Sequence, residues 1–158
     1  MPVSAELYKR AMAQFASGVT VVTARAADGL LYGHTASAFC SVSLDPPLVL
    51  VCVGRTSNSH DGIAGAGWFG VNILSQAQEP LSRLFAGTLA KFEDVEFTPG
   101  PLSGSPRLPG VLAFLECRVV NAYDGGDHTI YVGQVEHAEV SGGNPLVYFR
   151  GSYRGLAE

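Results

Sequence analysis

Two long strand-like stretches, residues 111–123 and 128–140, are separated only by Asp124-Gly125-Gly126-Asp127. Glycine and aspartate adopt the reversed backbone angles of a tight turn more readily than other residues, so this joint predicts a hairpin. A pair of strands that long commits a 158-residue chain to an antiparallel sheet. Other segments extend the same pattern. Residues 19–24 are β-branched, Asp28-Gly29 marks a turn, and a strand follows from Leu30. Residues 34–43 alternate, with Thr35, Ser37 and Ser41 against Ala36, Phe39 and Val42. Asp45-Pro46-Pro47 ends that run, residues 48–53 are wholly apolar, and residues 68–74 and 145–149 complete the set. The total is about seven strands, and an antiparallel barrel with peripheral helices fits them better than a βαβ sheet.

Helical signals are few. Ser4 can cap a helix with Leu7, Tyr8, Ala11, Met12 and Phe15 at helical spacing, stopped by Gly18. Ser59 can cap a short helix. Ser75 and Gln78 form a capping-box pattern for a helix through Phe85, with Pro80 disturbing its start. Residues 98–110 hold four prolines and three glycines and predict a loop.

Composition narrows the function classes. Ten basic residues against 14 acidic give a net charge of −4, which argues against a binder of nucleic-acid backbones. Hydrophobic residues make up 47% and charged ones 15%, which predicts a partner subunit over part of the surface. The longest apolar run, residues 48–53, is far short of the ~20 residues of a membrane span. No charged-then-apolar leader opens the chain. Cys40, Cys52 and Cys117 are odd in number and widely spaced, so the expectation is buried free thiols in a reducing cytoplasm. Residues 1–158 are expected to form one domain.

Residues 62–67 are glycine-rich but have neither the order nor the strand-to-helix position of a dinucleotide loop. No Gly-x-Ser-x-Gly elbow is present. A Cys–His dyad is conceivable, but Cys52 and Cys117 lie in strand patterns. The four histidines never fall three or four residues apart, so no metal site is expected. An anion site remains. Thr35, Ser37, Ser41 and Ser43 share one face of an extended chain, and Arg55, Ser57, Asn58 and Ser59 follow the next strand. Hydroxyls and free N–H groups at a helix start suit a phosphate. The same residues also suit a plain solvated strand face.

Residues 33–48, Gly-His-Thr-Ala-Ser-Ala-Phe-Cys-Ser-Val-Ser-Leu-Asp-Pro-Pro-Leu, resemble the signature of the short-chain flavin reductases. These are the reductase components of two-component flavin-dependent monooxygenases, including those of aromatic-polyketide hydroxylase systems. Four more segments match in order: Asn58-Ser59, residues 69–74, residues 126–133 and residues 145–148. Residues 15–23 fit as well. The resemblance implies a mainly β fold with peripheral helices, a dimeric split β-barrel of the FMN-binding type. It implies hydride transfer from NADH (or NADPH) to FMN (or FAD), with reduced flavin passed to a partner monooxygenase. Thr35, Ala36, Ser37 and Ala38 would line the flavin ring, with Cys52 and Val53 ending the strand beneath it. Ser57, Asn58 and Ser59 would hold the ribityl chain and phosphate. Phe85, Ala86 and Gly87 would close the phosphate side, with Lys91 and Phe92 nearby. His128 would meet the nicotinamide, although a histidine beside a hairpin turn also reads as a solvated one. Tyr148 and Tyr153 would wall the cofactor or pack against one another. A split-barrel protein that binds flavin or haem without turnover, and an oligomeric binding module, are the competing readings.

Overall fold

The computed structural model describes residues 1–87 and 92–157. Helix α1 (Ala5–Met12) begins where its capping signal predicts, with Ser4 Oγ accepting the Leu7 N–H at 3.2 Å. It ends before Phe15, and the expected stop at Gly18 lies instead in strand β1 (Ser17–Gly18). Strands β2 (Thr20–Arg25), β3 (Leu31–Ala36), β4 (Phe39–Ser43) and β5 (Leu48–Gly54) follow. Helix α2 (Asn58–Ala66) is capped by Ser57 rather than Ser59, and Gly67 closes it with φ 69°. Strand β6 (Trp68–Ile73) leads to a short 3₁₀ turn and helix α3 (Glu79–Ala86). There the Ser75 N–H donates to Gln78 Oε1 at 2.9 Å. Pro80 is accommodated because the first helical turn needs no donor from it.

Strands β7 (Thr98–Pro99) and β8 (Pro106–Arg107) pair within the stretch expected to be plain loop. Strands β9 (Ala113–Gly125) and β10 (His128–Val140) form the predicted hairpin. Strands β11 (Val147–Phe149) and β12 (Ser152–Arg154) make a small sheet with β1.

The main sheet has seven antiparallel strands in the order β3-β2-β6-β9-β10-β5-β4. Its two edge strands are consecutive in sequence, joined only by Ser37-Ala38. In a flat sheet those edges would stand about 29 Å apart, at ~4.8 Å per strand spacing. Three Cα steps from Ala36 to Phe39 reach at most about 11 Å. The sheet must therefore curl until its edges approach one another, although no ladder joins β3 to β4 among the described residues. The expected single run 34–43 is thus two strands on opposite edges. The Thr20 hydroxyl donates to the Ala36 carbonyl at 2.7 Å, and the Cys52 N–H donates to the Ala38 carbonyl at 3.0 Å. The chain leaves β2 and joins β5 at that corner.

Curling produces an inside and an outside. Strand β2 is buried on both faces and feeds two apolar clusters. Val22 joins Val51, Val53, Ile63, Phe69 and Val71 under α2. Val21 joins Leu74, Phe85, Leu108, Phe114 and Leu146 under α3. The alternation of side chains along one strand supplies both. Gly133 is required where β10 crosses the first cluster, because a Cβ there would sit 2.6 Å from Phe69 Cζ.

One expectation about burial needs correction. Cys40 is exposed on edge strand β4, so the three thiols are not all buried; Cys117 is fully buried and Cys52 is intermediate. No residue of α1 is buried, so its apolar stripe is uncovered. Among the described residues, no helix is long and apolar enough to cross a membrane.

Candidate active site

A groove of about 1110 Å³ opens between the start of β3 and the segment that runs from β5 into α2. One wall is Leu31, Tyr32, Gly33, His34 and Thr35. The other comprises Gly54, Arg55, Thr56, Ser57, Asn58, Ser59 and Asp61. Phe85, Ala86 and Gly87 at the end of α3, with Phe92, close it. Gly33 lets the wall approach this aromatic floor, since a Cβ there would lie 2.7 Å from Phe85 Cε1. Phe92 packs edge-on to Phe85 with ring centres 5.1 Å apart.

The second wall is polar because it is a helix start. Ser57 Oγ accepts the Ser59 N–H at 3.3 Å, which leaves the Ser57 hydroxyl proton to donate outward. The first turn of α2 also carries unpaired N–H groups and the positive end of the helix dipole. Such an end favours an anion. Arg55 stands beside it, but its guanidinium is ion-paired with Asp124.

His128 is the first residue of β10 and lies directly opposite Gly54 in the β5 ladder. A Cβ on Gly54 would be 3.8 Å from His128 Nε2, so the imidazole stands beside Gly54 at the rim of the groove, outside its lining residues. Its side chain is 46% exposed, and Nδ1 lies 2.6 Å from Asp127 Oδ1. That hydrogen bond, and the charge of His128, hold the Asp127 carboxyl below its ordinary pKa.

Of the residues singled out from the sequence, Thr35, Ser57, Asn58, Ser59, Phe85, Ala86, Gly87 and Phe92 line this one groove. Ala36, Ser37, Ala38 and Cys52 form the adjoining corner and are not among the lining residues. Burial, and then the neighbouring Cys40, raise the Cys52 thiol pKa. The Val53 side chain is wholly buried in the core, which leaves only its backbone for a ligand. The Thr35 hydroxyl is engaged by α3, donating to the Ser82 carbonyl at 2.6 Å. Tyr153 lies behind that helix. Its hydroxyl is 2.6 Å from Ser82 Oγ, and its ring packs on Tyr148 with centres 5.4 Å apart. The two tyrosines therefore pack together and do not line the groove. Lys91 lies outside the described residues.

Sequence reasoning gave no role to Tyr32, His34, Gly54, Thr56 or Asp61, which line the groove as well. The polar run 55–61 carried a signal for Thr56 and Asp61. Nothing local marked Tyr32 or His34, whose placement depends on α3 folding back over β3.

Comparison with known proteins gives the family of the chain. The model of the flavin reductase like domain matches residues 12–157. The chain belongs to the flavin reductase like domain family. A reductase component of 4-hydroxyphenylacetate 3-monooxygenase from Thermus thermophilus is 45% identical over 152 residues, 96% of each chain. An NADH-dependent flavin reductase from Rhodococcus sp is 43% identical over 150 residues, 94% of this chain and 84% of that one. Among solved structures, the Streptomyces globisporus C-1027 NADH:FAD oxidoreductase SgcE6, in complex with NAD and FAD fragments, superposes with a TM-score of 0.92. It is 36% identical and covers 99% of this chain and 97% of its own. The domain is thus shared with reductases named for NADH and a flavin.

Proposed function

We propose that this protein is an NADH-dependent flavin reductase that supplies reduced flavin to a separate monooxygenase. The observation that carries the reading is one groove with an aromatic floor, a helix N-terminus on one wall and a histidine at its rim. The groove is large enough for a flavin mononucleotide, because drug-sized ligands occupy roughly 300–1,000 Å³. Its chemistry fits the parts of such a ligand. Gly33 lets Phe85 and Phe92 pack close under the wall, which gives a flat ring an apolar surface to lie on. Ser57, Asn58, Ser59 and the α2 amides suit the ribityl hydroxyls and the phosphate. Thr35, Ala36, Ser37, Ala38, Cys52 and the Val53 backbone would border the ring on the corner side. Phe85, Ala86, Gly87 and Phe92 would close the other end. We favour FMN over FAD because the anion-suited wall is short and continuous with the ring end.

A flavin held in the groove would supply the redox chemistry, as acceptor of a hydride from a reduced nicotinamide. The chain's own contribution would be placement. The groove walls would hold the flavin, and leave a nicotinamide to approach it at reacting distance. His128, held by Asp127, would donate to or orient the nicotinamide carboxamide from the rim. No acid–base pair is needed, which agrees with a groove whose only lining carboxylate among the described residues is the exposed Asp61.

We read the curled sheet as a split barrel and the native form as a homodimer. Phe15, Leu44 and Val140 are 79%, 91% and 82% exposed, and α1 has no covered face. Burying those residues would favour association. Light scattering on the purified protein should give twice the chain mass of 16.6 kDa. Three cysteines without a disulfide suit a reducing cytoplasm.

The deciding experiment follows NADH absorbance in air with and without added FMN. Rapid loss only with FMN is expected. Flavin binding without NADH oxidation would make the protein a cofactor carrier instead. Absence of both flavin binding and NADH oxidation would refute the assignment for this chain.

A further inference from the structure

His60 takes no part in the groove described above, yet it joins the two segments on which that groove depends. It sits in the first turn of α2, and its side chain, 21% exposed, turns away from the groove towards β10. Nε2 lies 2.7 Å from Thr129 Oγ1. The His60 carbonyl accepts the Tyr131 hydroxyl at 3.0 Å, and the two rings lie 5.9 Å apart. Asp61 Oδ1, 3.1 Å from Nδ1, only accepts. The neutral ring therefore keeps its proton on Nδ1, and Nε2 accepts the Thr129 hydroxyl.

Thr129 follows His128 in β10. Neighbouring strand residues face opposite sides, so whatever fixes Thr129 towards α2 fixes His128 towards Gly54. A second tie lies at the other end of the loop, where the Arg55 N–H donates to the Asp127 carbonyl at 3.0 Å and the Arg55 side chain pairs with Asp124. That side-chain pair is exposed and holds weakly. Tyr131 is 2% exposed, so the contact through His60 is the better sheltered of the two.

We propose that His60 is a positioning residue: it locks the start of β10 against α2 and so sets the angle at which His128 meets the groove. The proposal rests on the reading of His128 as the nicotinamide contact. It assigns to His60 no contact with flavin or nicotinamide.

The test uses the full chain with FMN and NADH. His60→Ala and Thr129→Val should each lower kcat roughly tenfold, as expected for a small misplacement of a reacting group. The FMN dissociation constant should move less than about twofold, because neither side chain lines the groove. His60→Gln should restore most of the rate, since its amide oxygen can accept the Thr129 hydroxyl. In a His128→Ala background, His60→Ala should cost less than about twofold more, because residues that act through one another are not additive. A full loss that persists without His128, or an FMN affinity that falls as far as the rate, would overturn the proposal. If His128→Ala alone leaves turnover unchanged, the reading of His128 has failed by itself. Amide exchange then decides about His60: faster exchange over residues 127–131 in His60→Ala upholds the lock, and unchanged exchange overturns it.

Discussion

Two carboxylates of the β9–β10 hairpin, Glu116 and Asp127, are opposites. Glu116 on β9 is fully buried. Its carboxylate accepts the Ser103 N–H at 2.8 Å, the Ser103 hydroxyl at 2.8 Å and the Leu102 N–H at 3.2 Å. Gly100 packs so closely that a Cβ there would lie 2.3 Å from Glu116 Oε1. At the hairpin tip, Asp127 and His128 are exposed and bond chiefly to each other. A buried acid surrounded by donors fixes a loop and has no capacity left for a ligand. An exposed pair beside a groove keeps that capacity. Similar side chains thus hold the fold in one place and can meet a substrate in the other.

The sharpest way to break this contrast is Glu116→Ala. It strands the Leu102 and Ser103 donors inside the protein, and the expected loss is about 3 kcal/mol. Thermal unfolding should drop by roughly 6–12 °C. The rate per folded molecule should hardly change. A selective loss of NADH turnover without loss of stability would mean that the buried cluster also serves the groove.

His128→Ala is the mirror experiment. NADH-dependent flavin reduction should fall about tenfold, equivalent to ~1.4 kcal/mol of transition-state stabilisation. Unfolding temperature and FMN affinity should stay close to those of the parent. Stopped-flow reduction and flavin fluorescence quenching read the two separately. Unchanged reduction would remove His128 from the mechanism.

The helix start is the next weaker site. Ser57→Ala with Ser59→Ala removes a cap and two donors. FMN binding should weaken by about 1–2 kcal/mol, and riboflavin binding by less, because only FMN carries the phosphate. Equal losses for the two ligands would separate this wall from the phosphate.

Much of this was legible in the sequence, for identifiable reasons. The hairpin of β9 and β10 was readable because the turn residues stand between two long strand patterns. The Ser4 cap and the Ser75–Gln78 pair were readable because both act within four residues. The corner at Ser37-Ala38 was not. The alternation slips there, since Phe39 falls on the same face as Ser37 under a period of two, but a slip alone names no partner, and only the pairing of β4 with distant β5 shows that the strand has changed edges. Glu116 carried no signal either: its donors come from Leu102 and Ser103 in the loop between β7 and β8, which folds back onto β9. His128 could be singled out only through the family resemblance, in which a histidine follows Gly-Asp; by itself it reads as a solvated histidine beside a turn. That it stands beside Gly54 depends on a ladder 74 positions away in the chain. Local chemistry shows in a sequence, whereas partners brought by long-range pairing do not.

The smallest expected effect concerns pH at the rim. The Asp127 carboxyl is held below its ordinary value of 3.8, first by the hydrogen bond from His128 and then by its charge. A carboxyl lowered in the folded state adds stability that is complete above the unfolded pKa. That stability is lost as pH falls through the lowered folded value. Asp127 is exposed, so solvent and salt screen the gain and it should be slight. His128→Ala removes both causes, so Asp127 should titrate closer to 3.8 when its carboxyl carbon is followed by NMR. Parent and variant should then differ in stability slightly more at neutral pH than at pH values below the Asp127 titration. Identical Asp127 titrations in the two proteins would mean that the bond between Asp127 and His128 is not kept in solution. His128 would then owe its place at the rim of the groove to the β10 backbone and to the contacts behind it alone.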